Sequence, residues 1–143
     1  MDCVFCQIVS GKVPAAIVWE GPGACAFLDN RPLFPGHCLL IPKEHFETLS
    51  DLPPSGIEPL FAAAQMLSRA VESAFAAEGS FVAINNRVSQ SVPHLHIHVV
   101  PRRKKDGLKG FFWPRTKYAT EEAMLDAQQK IRAAIEAMAA ARA

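Results

Sequence analysis

The segment His94-Leu95-His96-Ile97-His98-Val99-Val100 alternates three histidines with three aliphatic residues. Side chains at i, i+2 and i+4 of a β-strand share one face. The alternation therefore predicts a half-buried strand over residues 94–100. Leu95, Ile97 and Val99 point into a core, and the three imidazoles point the other way. Near neutral pH an imidazole can be a nucleophile, a proton shuttle or a metal ligand. Three readings stand on these residues alone: a nucleophilic histidine with two supporting ones, a metal site of the His-x-His kind, or an accident of surface composition. Strict alternation weighs against the accident, because three crowded rings repel one another if all are protonated.

The remaining pattern surrounds this strand with short elements. Residues 2–10 read as a helix ended by Gly11, and Val13-Pro14 forces extended chain. Residues 16–20 and 24–29 read as a hairpin around Gly21-Pro22-Gly23. Residues 37–41 read as a third strand, stopped by Pro42. A helix over 56–78 has apolar positions Ile57, Leu60, Phe61, Ala64, Leu67, Val71, Ala74 and Phe75 at steps of three and four. Pro59 is expected in its first turn, and Gly79 is expected as its C-cap. A strand over 81–84 and a polar loop over 85–91 lead into the histidines. A basic, aromatic loop over 102–115 and a final helix over 120–142 follow, with Thr120 as N-cap. Short, mostly sequential strands with helices indicate an α+β fold with an antiparallel sheet.

The chain has 143 residues, half of them hydrophobic, which suits one domain over 1–143 with a core in 2–113. Fifteen basic and 14 acidic residues give a net charge of +1, which disfavours a dedicated nucleic-acid binder. No apolar run is long enough to span a membrane, and the start lacks the pattern of a secretory signal. A cytoplasmic location with reduced cysteines is the expectation. Cys25 and Cys38 sit singly in apolar segments, as small buried hydrophobes do. Cys3-x-x-Cys6 could be a redox pair or a metal knuckle, but no strand precedes it, as one usually does in a redox motif.

Four blocks occur together: Cys3-Val4-Phe5-Cys6-Gln7-Ile8-Val9-Ser10-Gly11-Lys12-Val13-Pro14, Ala26-Phe27-Leu28-Asp29-Asn30-Arg31-Pro32, Pro35-Gly36-His37-Cys38-Leu39-Leu40-Ile41-Pro42-Lys43-Glu44-His45, and Ser89-Gln90-Ser91-Val92-Pro93 running into His94–Arg102. In order and spacing they resemble the histidine triad (HIT) superfamily, most closely its Hint-like nucleotide hydrolases and transferases. The resemblance covers about residues 2–113. It implies a five-stranded antiparallel sheet with flanking helices, and a homodimer that joins two sheets into a ten-stranded one. It also implies attack by the middle histidine on the α-phosphorus of a purine nucleotide derivative, a phosphoramidate or a dinucleoside polyphosphate. A covalent nucleotidyl-histidine would form and then be cleaved by water.

Carried onto this chain, the resemblance makes His96 the nucleophile, oriented by the backbone of His94. His98 would sit at the leaving group and phosphate, and His37 behind the cluster. Asn85, Gln90 and Ser91 match phosphate-contacting positions. Phe5, Ile8, Phe27 and Leu28 match an apolar slot for the base, and Asp29 and Asn30 match the ribose side. Ser89 departs from the pattern, because the family has glycine there, which tolerates positive φ and close approach to phosphate. Bacterial relatives bind zinc through a C-x-x-C, a histidine after a Pro-Lys pair and the first triad histidine. Cys3, Cys6, His45 and His94 supply such a set, suited to a closed tetrahedral structural site. Trp113-Pro114 resembles a pair that reaches a partner subunit's site, and the basic residues of 102–115 could hold the distal phosphates of a long leaving group. Two rivals remain: a nucleotide-binding regulatory or scaffold protein with little turnover, and a metal hydrolase using all three histidines.

Overall fold

The computed structural model describes residues 2–108 and 115–142. They fall into two compact units that meet in sequence between Asp106 and Gly107. The first unit contains α1 (Val4–Val9), β1 (Ile17–Glu20), β2 (Ala24–Leu28), β3 (Cys38–Pro42), a 3₁₀ turn (Leu49–Asp51), α2 (Pro54–Ala74), β4 (Gly79–Ala83) and β5 (Ile97–Arg102). The second contains α3 (Glu121–Arg142). The strands form one antiparallel sheet in the order β1-β2-β3-β5-β4. The expected α+β class and five-stranded antiparallel sheet are both present.

The sheet is covered on both faces at its centre, which explains why β2 and β3 read as continuous apolar runs rather than as alternation. Ala24, Ala26, Cys38, Leu40, Ile97 and Val99 join Leu60, Ala63, Ala64, Leu67 and Val71 of α2 in one core. Cys25, Phe27, Leu39 and Ile41 pack with Phe5 of α1 in another. α1 therefore closes the face of β2 and β3 opposite α2. Ile57, Phe61 and Phe75, expected on the buried stripe of α2, are 41–45% exposed. The stripe that packs is narrower because small Ala63 and Ala64 let the helix approach the sheet.

Both ends of α2 differ from expectation. The helix begins at Pro54, so Pro59 lies beyond the first turn and costs one backbone hydrogen bond. It ends at Ala74 instead of residue 78. The amides of Ala76 and Ala77 return to the carbonyls of Ser73 and Glu72, and Ala76 takes the left-handed φ of 48°. This is a Schellman ending with alanine at the position glycine usually fills. The Arg103 guanidinium covers the freed carbonyls of Phe75 and Ala76. Gly79 is not a cap but the first residue of β4, paired with Arg102. The 3₁₀ turn was also unforeseen, although Thr48 and Asp51 form its capping box.

The histidine strand is shorter than the alternation suggests. β5 pairs with β3 from Ile97 onward, and His94, Leu95 and His96 precede it. There the Leu95 amide bonds to the Phe46 carbonyl instead of a strand partner. The alternation of facing survives, with Leu95, Ile97 and Val99 all in the α2 core. The expected half-buried strand does not, because His94 and His96 are buried as well and of residues 94–99 only His98 is half-buried. In the second unit Thr120 caps α3 through a 3.0 Å bond from the Ala123 amide.

Candidate functional site

Five histidines line the paired strands β3 and β5 and the segments that flank them, and their hydrogen bonds divide them into two groups. His94 is fully buried, and its Nε2 lies 2.8 Å from the Pro42 carbonyl. A carbonyl only accepts, so Nε2 carries the proton and Nδ1 keeps a lone pair. That Nδ1 lies 3.5 Å from Cys3 Sγ, 3.6 Å from Cys6 Sγ and 3.2 Å from His45 Nδ1. Cys6 Sγ lies 3.3 Å from His45 Nδ1, and all four ligand atoms fall within 4.8 Å of one another. Tetrahedral zinc, with bonds of about 2.0–2.3 Å, holds its ligand atoms roughly 3.3–3.8 Å apart. The donor set and its spacing fit such an ion, and the Pro42 carbonyl fixes the His94 tautomer as a metal-bound imidazole needs.

The second group has a different proton arrangement. His96 is 3% exposed, and its Nδ1 donates to the His94 carbonyl at 2.7 Å. The Nε2 lone pair of His96 is left for another partner. His37 Nδ1 accepts the Leu33 amide at 3.0 Å. Its proton therefore sits on Nε2, which lies 2.9 Å from His98 Nδ1. His98 then keeps its own proton on Nε2. The two neighbouring rings, with centroids 5.0 Å apart, thus differ at Nε2: a lone pair on His96 and an N–H on His98.

Burial, with nearby His96 and His37, pushes the His98 pKa down to about 4. Burial also lowers that of His37, against the pull of Asp29. Both rings are neutral at pH 7, as the hydrogen-bond chain requires. Asp29 Oδ2 lies 3.7 Å from His37 Nε2, so Asp29, His37 and His98 also cluster as candidate metal ligands. The Leu33 amide argues against that role. It occupies the only lone pair of neutral His37, and a metal on Nε2 would require the anionic ring.

The other expected site residues are placed as follows. Phe5 and Phe27 are buried and pack edge to face at 5.3 Å. Ile8 is half-buried and Leu28 exposed, so these two are the accessible apolar groups beside them. Asp29 accepts the Arg31 amide at 2.9 Å, a tight turn that aims its second oxygen at His37. Asn30 and Ser91 are exposed and Asn85 is half-buried. The Gln90 side chain ties its loop down, accepting the Arg87 amide and donating to the Glu47 carbonyl. Ser89 holds φ at +60°, so serine keeps the backbone shape that glycine would take freely. Gly36, at φ +95°, has no such latitude, because a Cβ there would lie 2.4 Å from the Phe75 ring.

Three basic residues at the start of the loop are engaged elsewhere. Arg102 forms a two-pronged ion pair with Asp106, Arg103 caps α2, and Lys104 pairs with Glu78. Trp113-Pro114 lies outside the described residues. Three groups escaped the sequence reading, the Pro42 carbonyl, the Leu33 amide and the Phe46 carbonyl. All belong to the backbone, which every residue carries, so no side-chain pattern could mark them.

The HIT domain family pattern matches residues 10–105. An uncharacterized HIT-like protein of Mycobacterium tuberculosis is 40% identical over 110 residues, 76% of each chain. A bis(5'-nucleosyl)-tetraphosphatase (asymmetrical) of Schizosaccharomyces pombe is 38% identical over 104 residues, 70% of this chain and 57% of that one. The crystal structure of a Zn-bound histidine triad family protein from Mycobacterium smegmatis is similar at a TM-score of 0.72 and 38% identity, over 99% of this chain and 98% of that one. No helix among the described residues is long and apolar enough to cross a membrane. With its four sequence blocks, its sheet and its paired histidine groups, the chain belongs to the HIT domain family.

Proposed function

We propose that the protein is a nucleotide hydrolase or nucleotidyl transferase that attacks the α-phosphate of purine nucleotide derivatives through a nucleotidyl-histidine. The observation that carries the reading is the pair of opposite tautomers. His96 offers the Nε2 lone pair to phosphorus, and its Nδ1–H stays on the His94 carbonyl. That bond strengthens as positive charge grows on the ring. His98 offers Nε2–H to the leaving atom, held in this tautomer by His37. An arriving phosphate is an opposite charge and raises the pKa of His98 from its low resting value. The P–N or P–O bond breaks as the P–Nε2 bond of His96 forms, and water later cleaves the new bond. Splitting one displacement into two is covalent catalysis.

Ile8 and Leu28, over the floor of Phe5 and Phe27, would take the base. Asp29, with Asn30 beside it, would take the ribose hydroxyls. Asn85, Ser91 and the amides around Gln90 would receive the phosphate oxygens. Cys3, Cys6, His45 and His94 would hold one structural zinc that fixes α1 against the histidine segment. The active form would be a homodimer that joins two sheets, with residues 1–143 as one functional domain. The tetraphosphatase relative makes dinucleoside polyphosphates natural first substrates alongside phosphoramidates. The fixed His96 tautomer disfavours the scaffold reading, since binding alone needs no oriented lone pair.

Incubation with diadenosine tetraphosphate and with adenosine 5'-phosphoramidate, followed by rapid acid-free digestion and mass spectrometry, tests the proposal. The expected result is an adenylyl group on His96. Turnover without any adduct in wild type, and turnover retained in His96→Ala, would overturn it.

A further inference from the structure

We propose that His94 is a positioning residue through which the metal held by Cys3, Cys6, His45 and His94 sets the orientation of the His96 ring. The inference builds on the reading of His96 as nucleophile and deepens it. One residue serves both groups. The ring of His94 meets the thiols and His45 through Nδ1, and its carbonyl receives the Nδ1–H of His96. Little slack separates the two ends. The His94 ring is tied to Pro42 through Nε2, its amide to the Val92 carbonyl at 2.8 Å, and its surface is fully buried. A shift of the ring therefore moves the carbonyl that selects the His96 tautomer.

A second route runs through α1. Phe5 lies between the two cysteines in sequence and packs edge-on against His94 at 5.8 Å and His96 at 5.2 Å. α1 has six residues and no side-chain cap. So short a helix has little stability of its own. Its position depends on the burial of Phe5 and on whatever holds Cys3 and Cys6. A metal bound by both cysteines holds the Phe5 ring against His96, and its loss frees that ring. His98 stands outside this linkage, because its tautomer is set from the other side by the Leu33 amide and His37.

The test uses the full chain labelled with ¹⁵N-histidine, as the zinc-loaded protein and after removal of zinc by a chelator. Long-range ¹H–¹⁵N spectra read each ring's tautomer, and rapid mixing with diadenosine tetraphosphate at saturation reads the rate of His96 nucleotidylation. Metal removal should mix the His96 tautomers while His98 keeps its Nε2–H signal. It should also slow nucleotidylation at least tenfold, the scale on which supports around a metal act. Added zinc should restore both. A folded metal-free protein with an unchanged His96 signal and rate overturns the proposal, as does a protein that carries no metal when purified and shows the full signal. If metal removal unfolds the chain, the folded cadmium-substituted protein decides. The larger ion must shift the His96 signal and slow the step, and no change in either overturns the proposal. Absence of any adduct in the zinc-loaded protein would sink the nucleophile assignment alone, because the tautomer spectra still decide the linkage.

Discussion

The two histidine groups share a segment of five residues yet differ in where each ring keeps its proton. On the metal side, the Pro42 carbonyl draws the His94 proton to Nε2 and leaves Nδ1 to the thiols. On the other side, the His94 carbonyl draws the His96 proton to Nδ1, and the Leu33 amide pushes that of His37 to Nε2. The side chains are identical, so the backbone partner decides which nitrogen keeps the proton and which offers a lone pair. A ring bound to a carbonyl at one nitrogen has a lone pair at the other. A ring bound to an amide has a proton there.

The contrast can be broken from either side. Replacement His96→Ala removes the lone pair aimed at phosphorus and should lower turnover of adenosine 5'-phosphoramidate by roughly 10⁴-fold or more, as loss of a nucleophile does elsewhere. Metal content measured by mass spectrometry should not change. Replacement Cys3→Ala attacks the other group. A metal present at 1,000 times its dissociation constant contributes about 4 kcal/mol of stability, so the variant should lose zinc and unfold at correspondingly lower denaturant. Zinc retained at full occupancy would contradict the ligand assignment.

Acidity should have a gentler effect. His98 and His37 stay neutral when folded, and the unfolded chain takes up their protons near pH 6.5. The unfolded state then binds more protons, so stability is full above about 6.5 and falls as pH drops toward about 4. Denaturant midpoints across that range measure the slope, and a flat profile would contradict the buried neutral pair. The smallest effect belongs to Ser89→Gly. Relief of a left-handed backbone at serine should stabilise the fold by about 1 kcal/mol, with the histidine tautomers unchanged. Loss of stability in that variant would show that the Ser89 side chain holds the loop.

Much of this arrangement was legible in the residues. The alternation from His94 to Val100 placed Leu95, Ile97 and Val99 on the α2 side, but not the burial of His94 and His96, which Phe5 of α1 helps to cover from the other face. The spacing of Cys3, Cys6, His45 and His94 became interpretable through a family resemblance, and the fold brings those four together. The ends of α2 were not legible. Its terminal left-handed residue is Ala76, which carries no glycine signal, and its N-terminal proline sits five residues before the Pro59 that drew attention. Nor was the start of β5, because tertiary bonds to Phe46 replace strand pairing at Leu95. The side-chain bonds of Gln90 to Arg87 and Glu47 were not legible either. Such pairing turns on which partner lies within reach in three dimensions.

The alternating facing of residues 94–99 also sets how this segment can change over generations. Point substitutions there alter one side chain at a time and leave its neighbours in place. Adding or deleting a single residue between His96 and His98 would exchange the two sides for everything that follows, sending Val99 to the histidine face and its neighbours toward α2. The segment is therefore constrained in length as well as in letter. In a library of one-residue insertions scored for folding, positions 94–99 should emerge as a gap in the surviving clones.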